Sequence, residues 1–142
     1  MPALSYKAMQ NQSKSVFGLD PNVAAGLAYI PVCLCHFIVS IGILAADKTN
    51  KLARFHAVQS LLLSASIIAG YIICIIAVAF FMLIAAVANS GAVMVLAFIP
   101  YGVLLIFVLT CLVGLIISCI KAFQGEIFKL PVIGNLADKW SN

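Results

Sequence analysis

Acidic side chains are almost missing from this sequence. In 142 residues there are four, Asp20, Asp47, Glu126 and Asp138, and each stands at the edge of an apolar run rather than inside one. Paired carboxylates for acid–base or glycosidic chemistry are therefore excluded. The chain also has no G-x-S-x-G, H-E-x-x-H or G-x-x-x-x-G-K-[ST] pattern, so no catalytic residues are assigned and an enzyme is not expected. Charge of either sign is scarce: 8% of residues are charged and 65% hydrophobic, with a mean hydropathy of +1.20. Soluble domains carry roughly 45–50% apolar and about 25% charged residues. A chain this apolar cannot hide its surface from water, and lipid must solvate most of it.

The eight Lys and Arg against four acids give a net charge of +4. They are scattered rather than gathered into a stripe, so nucleic acid is not an expected partner. Five cysteines, Cys33, Cys35, Cys74, Cys111 and Cys119, all fall in apolar runs, which reads as buried thiols rather than a disulfide framework. The run that follows the polar first twenty residues is too long for a signal-peptide core, so cleavage is not expected. Tyr6, Val16, Phe17 and Leu19 give that polar segment apolar anchors.

What the sequence does have is long hydrophobic runs. The first, residues 23–46, is entered through Asp20-Pro21, a helix cap followed by proline at the first helical position. Pro31 within it removes a backbone hydrogen bond and predicts a kink between Leu27 and Pro31. A polar stretch over 47–54 separates it from a second run, 57–88. That run would be about 48 Å long as a helix against a hydrocarbon core of roughly 30 Å, so it must tilt or project. Asn89-Ser90-Gly91 is a turn signal before the third run, 92–120, and Gly125 offers a helix C-cap. The expected fold is an all-α integral membrane protein, a bundle of three transmembrane helices. A break at Pro100-Tyr101-Gly102 would give four.

Cations arbitrate, because cytoplasmic flanks collect Lys and Arg. Three spans put Lys48, Lys51, Arg54, Lys121, Lys129 and Lys139 on one side and Lys7 and Lys14 on the other, whereas four would split them five against three. The six-to-two division predicts an N-terminus outside and a cytoplasmic C-terminus. The domain reading is a polar N-terminal segment over 1–21, a helical membrane domain over 22–124 and a cytoplasmic interfacial tail over 125–142. Small residues recur four apart at Ala24/Ala28, Ser66/Gly70, Gly114/Ser118 and Ser118/Ala122. Such rows let helix backbones approach in lipid, within the bundle or between copies.

Two places carry chemistry. Cys33-Leu34-Cys35-His36 misses the C-x-x-C-H haem spacing, and cysteines two apart on a helix point in different directions, so no metal site is assigned. His36 lies near mid-depth, where an ionisable group must face the bundle interior. It is expected to bond a hydroxyl such as Ser40; haem or pigment ligation is the alternative, and no cofactor is otherwise expected. The densest polar grouping is Arg54, His56 and Gln59 opening the second run with Gln124, Glu126 and Lys129 closing the third. At one depth, Glu126 is expected to pair with Arg54, His56 or Lys51.

These segments carry a resemblance. Asn22-Val23-Ala24-Ala25, Tyr29-Ile30-Pro31, Arg54-Phe55-His56-Ala57 with Gln59-Ser60, and Ala122-Phe123-Gln124-Gly125-Glu126 with Lys129-Leu130-Pro131 and Ile133-Gly134 resemble the bacterial Tic-twenty-like membrane-protein family, which is related to the magnetosome proteins MamF and MmsF. The resemblance covers residues 22–140 and implies a small polytopic protein of the bacterial inner membrane; the chloroplast relative belongs to a protein-import translocon. The leading expectation is a non-enzymatic membrane subunit or scaffold. It would contact membrane lipids and other membrane subunits or copies of itself, within an assembly of the protein-translocation type. A pigment- or haem-associated subunit of an energy-transducing complex and a small transporter or channel are the alternatives.

Overall fold

The computed structural model describes residues 15, 18–30, 35–48 and 50–141. Among them all regular structure is helical: α1 (Pro21–Leu27), α2 (Cys35–Ala46), α3 (Lys51–Ala88), α4 (Gly91–Leu96), α5 (Ile99–Phe123) and α6 (Ile133–Trp140). α3, with 38 residues, and the 33-residue stretch Gly91–Phe123 are long and apolar enough to cross a membrane.

The first apolar run is not one spanning helix. α1 has 7 residues and α2 has 12, so α2 rises about 18 Å against a core of roughly 30 Å. The expected kink is instead an end. After Leu27 the chain tightens through Tyr29 N–H to Gly26 O and Ile30 N–H to Leu27 O bonds, and Ile30 precedes a proline, which disfavours helical backbone at that residue. Pro31 itself lies outside the described residues. Pro21 does occupy the first turn of α1, although the Asp20 side chain makes no capping bond.

The remaining boundaries follow from local chemistry. Asn50 Oδ1 accepts the Ala53 N–H at 3.2 Å and caps α3, while Asp47 Oδ1 accepts the Asn50 N–H at 3.1 Å. α3 ends at Asn89, whose φ of 44° turns the chain as expected. The third run is interrupted at Ala97-Phe98, which puts Pro100 in the first turn of α5, where its missing N–H costs nothing. α5 closes in a Schellman motif: Gly125, at φ 74°, donates to Ala122 O, and Glu126 N–H donates to Lys121 O at 2.9 Å.

The chain divides into two compact units, Met1–Leu63 with Gly114–Asn142, and Ser64–Val113. Three clusters hold the first unit. Ala24, Ile43, Ala53 and Ala57 form one, with Leu19, Val39 and Leu44 packed on it. Ala25, Tyr29, Leu52 and Ala122 form the second; Phe55, Val58 and Ala137 form the third. Of the expected N-terminal anchors Leu19 is thus in place, and Tyr6, Val16 and Phe17 lie outside the described residues. The small residues are used internally here: Gly114 lies under Leu130, and Ala24, Ser118 and Ala122 are buried. In the second unit Gly70 packs against the Phe107 ring, and a groove of about 340 Å³ is lined by Gly70, Cys74, Ala77, Phe81, Pro100 and Phe107, among others.

The tail, expected only as an interfacial segment, contains a helix. Pro131-Val132-Ile133 is a γ-turn, with Ile133 N–H on Pro131 O at 2.8 Å and Val132 at φ 67° and ψ −60°, a strained conformation for a β-branched residue. It turns the chain so that Gly134 sits against the Lys129 backbone, where an added Cβ would come within 2.7 Å of Lys129 Cα. Gly134→Ala is expected to destabilise the detergent-solubilised protein by about 1–3 kcal/mol by overpacking and to expose the Lys139 peptide bond to trypsin. Gly91→Ala, with open space around the added methyl, should leave melting temperature and cleavage unchanged.

Candidate functional site

The polar side chains of the first unit gather around Gln59. α3 supplies Gln59 and His56 one turn apart, so both project from one face. The turn after α1 supplies Tyr29, and α5 supplies Ser118. All four side chains are fully buried, with relative exposures of 0–1%. Gln59 Nε2 lies 2.9 Å from the Tyr29 hydroxyl, 3.1 Å from Phe128 O and 3.3 Å from Ser118 Oγ. Its Oε1 accepts the Leu130 N–H at 3.3 Å. One amide therefore joins α1, α3 and α5 to the segment leading to α6.

The network also assigns a histidine tautomer. His56 Nε2 is 3.1 Å from the Glu126 carbonyl oxygen and Nδ1 is 3.1 Å from the Tyr29 hydroxyl. A carbonyl can only accept, so Nε2 carries the proton, and Nδ1 accepts from Tyr29. Hydrogen bonds then run in one direction, from the Gln59 amide to the Tyr29 hydroxyl to His56 Nδ1, and from His56 Nε2 to Glu126 O. The Tyr29 and His56 rings meet edge-on, with centroids 5.6 Å apart.

Arg54 lies on the rim. Its Nε donates to Ser141 O at 3.0 Å and its Nη1 to Asp47 O at 3.1 Å, tying the α2–α3 turn to the end of α6. A second polar contact, Ser40 Oγ to Ser60 Oγ at 2.9 Å, joins α2 to α3.

The sequence-derived residues divide accordingly. His56 and Gln59 lie at the centre and Arg54 at the edge. Glu126 lies within reach of His56 as expected, but through its backbone carbonyl; its carboxylate pairs with Lys121 at 2.8 Å rather than with Arg54, His56 or Lys51. Lys121 is favoured because the Schellman turn folds residue 126 back over the last turn of α5. Lys129 pairs with Asp138 at 2.8 Å, and Gln124 is exposed outside the network. His36 is half-buried on α2 with its ring 4.0 Å from that of Phe37, and the Ser40 hydroxyl expected beside it engages Ser60. Among the described residues no group of three or more His, Cys, Asp or Glu is placed to hold a metal. Sequence reasoning did not place Tyr29 or Ser118 in the site. Ser118 was visible only as a member of the small-residue row, and Tyr29 only in Tyr29-Ile30-Pro31.

Gln59→Leu removes the donor to Tyr29 and Phe128 and orphans the Leu130 N–H. It is expected to cost about 1–3 kcal/mol in detergent unfolding. Tyr29→Phe breaks the same chain, so the double variant should lose less than the sum of the two by at least about 0.5 kcal/mol. Strict additivity would show that the two side chains do not act as one network.

Comparison with known proteins matches residues 20–137 to a family model described as the magnetosome magnetite crystal formation protein family, MamF/MmsF. A UPF0132 membrane protein of Methanocaldococcus jannaschii is 35% identical over 132 residues, 90% of this chain and 94% of that one. A UPF0132 membrane protein of Archaeoglobus fulgidus is 33% identical over 124 residues, covering 85% and 95%. No solved structure matches the chain. With two long apolar helices and relatives named as membrane proteins over nearly their full length, this is a membrane protein.

Proposed function

Because the chain belongs to the MamF/MmsF magnetosome magnetite crystal formation protein family, we propose that it is a non-enzymatic membrane subunit or scaffold that works inside a larger membrane assembly. The observation that carries this reading is how the two kinds of surface are used. The central polar groups of the first unit are bonded to one another and to backbone, in the manner of a structural lock. The second unit presents Ile73, Ile76, Phe80, Val87, Val103 and Ile106 at 58–83% exposure beside an apolar groove. Such faces are covered by lipid tails or by other membrane helices.

Glu126 is paired with Lys121 and Asp138 with Lys129, so these two carboxylates serve the fold. The narrower reading, a translocation-type assembly in the cytoplasmic membrane of a bacterium, rests on the resemblance of the Arg54-Phe55-His56-Ala57 and Gln124-Gly125-Glu126 segments to the Tic-twenty-like family. In this reading the Lys- and Arg-bearing ends of α3 and α5 face the cytoplasm.

Native mass spectrometry after gentle extraction tests the assembly. A particle heavier than one 15.1 kDa chain, containing further copies or a reproducible membrane partner, is expected. A clean monomer that moves a solute into liposomes would replace this reading with that of a solitary transporter.

A further inference from the structure

α1 and α2 are too short to cross a membrane, and their ends lie close together. Ile43, in the last turn of α2, and Ala53, in the first turn of α3, belong to one buried cluster with Ala24 of α1, and Leu19 packs on that cluster. Asp47 and Asn50 link α2 to α3 at this level through the Asp47 Oδ1 contact. The chain before α1 is thus at the depth of the polar turn that follows α2. On the other flank, Ala25 and Tyr29 pack with Leu52 and Ala122, one residue from Lys121 at the end of α5. Gly26 faces the Phe123 ring. α1 therefore lies beside the Lys-bearing ends of both long helices.

We propose that α1 and α2 are the two arms of a re-entrant hairpin that enters and leaves the membrane on the Lys- and Arg-rich face, so that only α3 and the stretch Gly91–Phe123 cross the bilayer and both termini share one side. Distance decides against a third crossing. A helix entering from the far face would separate Leu19 from Ala53 by roughly 30 Å, the thickness of the hydrocarbon core, whereas the two pack on a common cluster. Along its 12 residues α2 rises about 18 Å. Its depth is pinned by the Ser40–Ser60 hydroxyl pair, with Ser60 nine residues into α3. A hairpin that ends inside the membrane must satisfy its polar groups against protein; the Tyr29 hydroxyl does so on His56 and Gln59.

Charge supplies an independent argument. With the N-terminal segment on the same side, Lys7 and Lys14 join the other six, and all eight Lys and Arg stand on one face. That bias is stronger than the six-to-two split of the three-span arrangement, and it replaces the N-terminus-outside expectation.

The test is relative sidedness, which does not depend on stoichiometry and so fails or succeeds separately from the assembly reading. The substitutions Asp20→Cys, Lys51→Cys and Asn89→Cys, at exposed positions, are made one at a time in the full-length chain, whose five native cysteines set the background measured on the unsubstituted protein. They are labelled with an impermeant maleimide in intact cells and in inside-out vesicles. Asp20→Cys and Lys51→Cys should label at least tenfold more in inside-out vesicles, and Asn89→Cys should show the reverse. Labelling of Asp20→Cys together with Asn89→Cys from the cell exterior would overturn the hairpin and restore three spans. A phosphatase fused to the N-terminus of the unsubstituted protein decides the same question where a variant fails to insert: inactivity supports the hairpin, and activity overturns it.

Discussion

A primary amide away from bulk water has to place two donors and one acceptor, and the first unit is organised around that requirement at Gln59. Its neighbours come from chain positions 29, 118, 128 and 130, so one side chain connects three separate parts of the sequence to its own. Apolar packing alone would not fix their register. Alanines such as Ala25, Ala53 and Ala122 make close contact possible, but one alanine row packs much like another. The directional bonds of Gln59, Tyr29 and His56 select among those arrangements, because a slip of one residue along α3 would turn the amide away from all its partners.

The two units answer different solvents. In the first, polar and small side chains face inward and three helix ends are closed by their own chemistry: Asn50 at the start of α3, the Gly125 turn at the end of α5 and Arg54 on the Ser141 carbonyl after α6. In the second, large aliphatic and aromatic side chains face outward along α3 and α5, an arrangement stable only where lipid or another protein meets them. α3 contributes its first turns to one unit and its remainder to the other. This accounts for a helix longer than a membrane is thick: from Leu52 to Ser60 it is packed in protein.

Much of this was legible in sequence, and the misses have physical causes. The long apolar runs, the Asn89 turn and the Gly125 cap depend on composition and local backbone preference, and they stand where expected. The break in the first run falls where Pro31 predicts a kink, but hydropathy is blind to direction and cannot tell a kink from an end. Residues 23–46 are apolar enough to span, yet α1 stops at Leu27, and two short helices have the same composition as one long one. Glu126 was assigned the wrong cation because the Schellman turn, though predictable from Gly125, also aims the next side chain back at Lys121. Tyr29 and Ser118 escaped because a hydroxyl on an apolar helix carries no local signal. Its partner stands 30 residues away for Tyr29 and 59 for Ser118. α6 is short and amphipathic, and its start is marked only by the unusual backbone at Val132.

The spacing of Gln59's partners along the chain has a consequence for biosynthesis. Membrane segments enter the bilayer in the order in which they leave the ribosome, and α1, α2 and the start of α3 arrive early. Their central amide, however, finds its acceptor at Phe128 and its donor at Leu130, and His56 Nε2 finds its acceptor at Glu126, only after α5 has been made. Tyr29, His56 and Gln59 can bond one another before then, but the amide and the imidazole still lack their later partners. Synthesis of the segment after α5 is the event that closes the polar centre, and a chain truncated before Glu126 would leave it open.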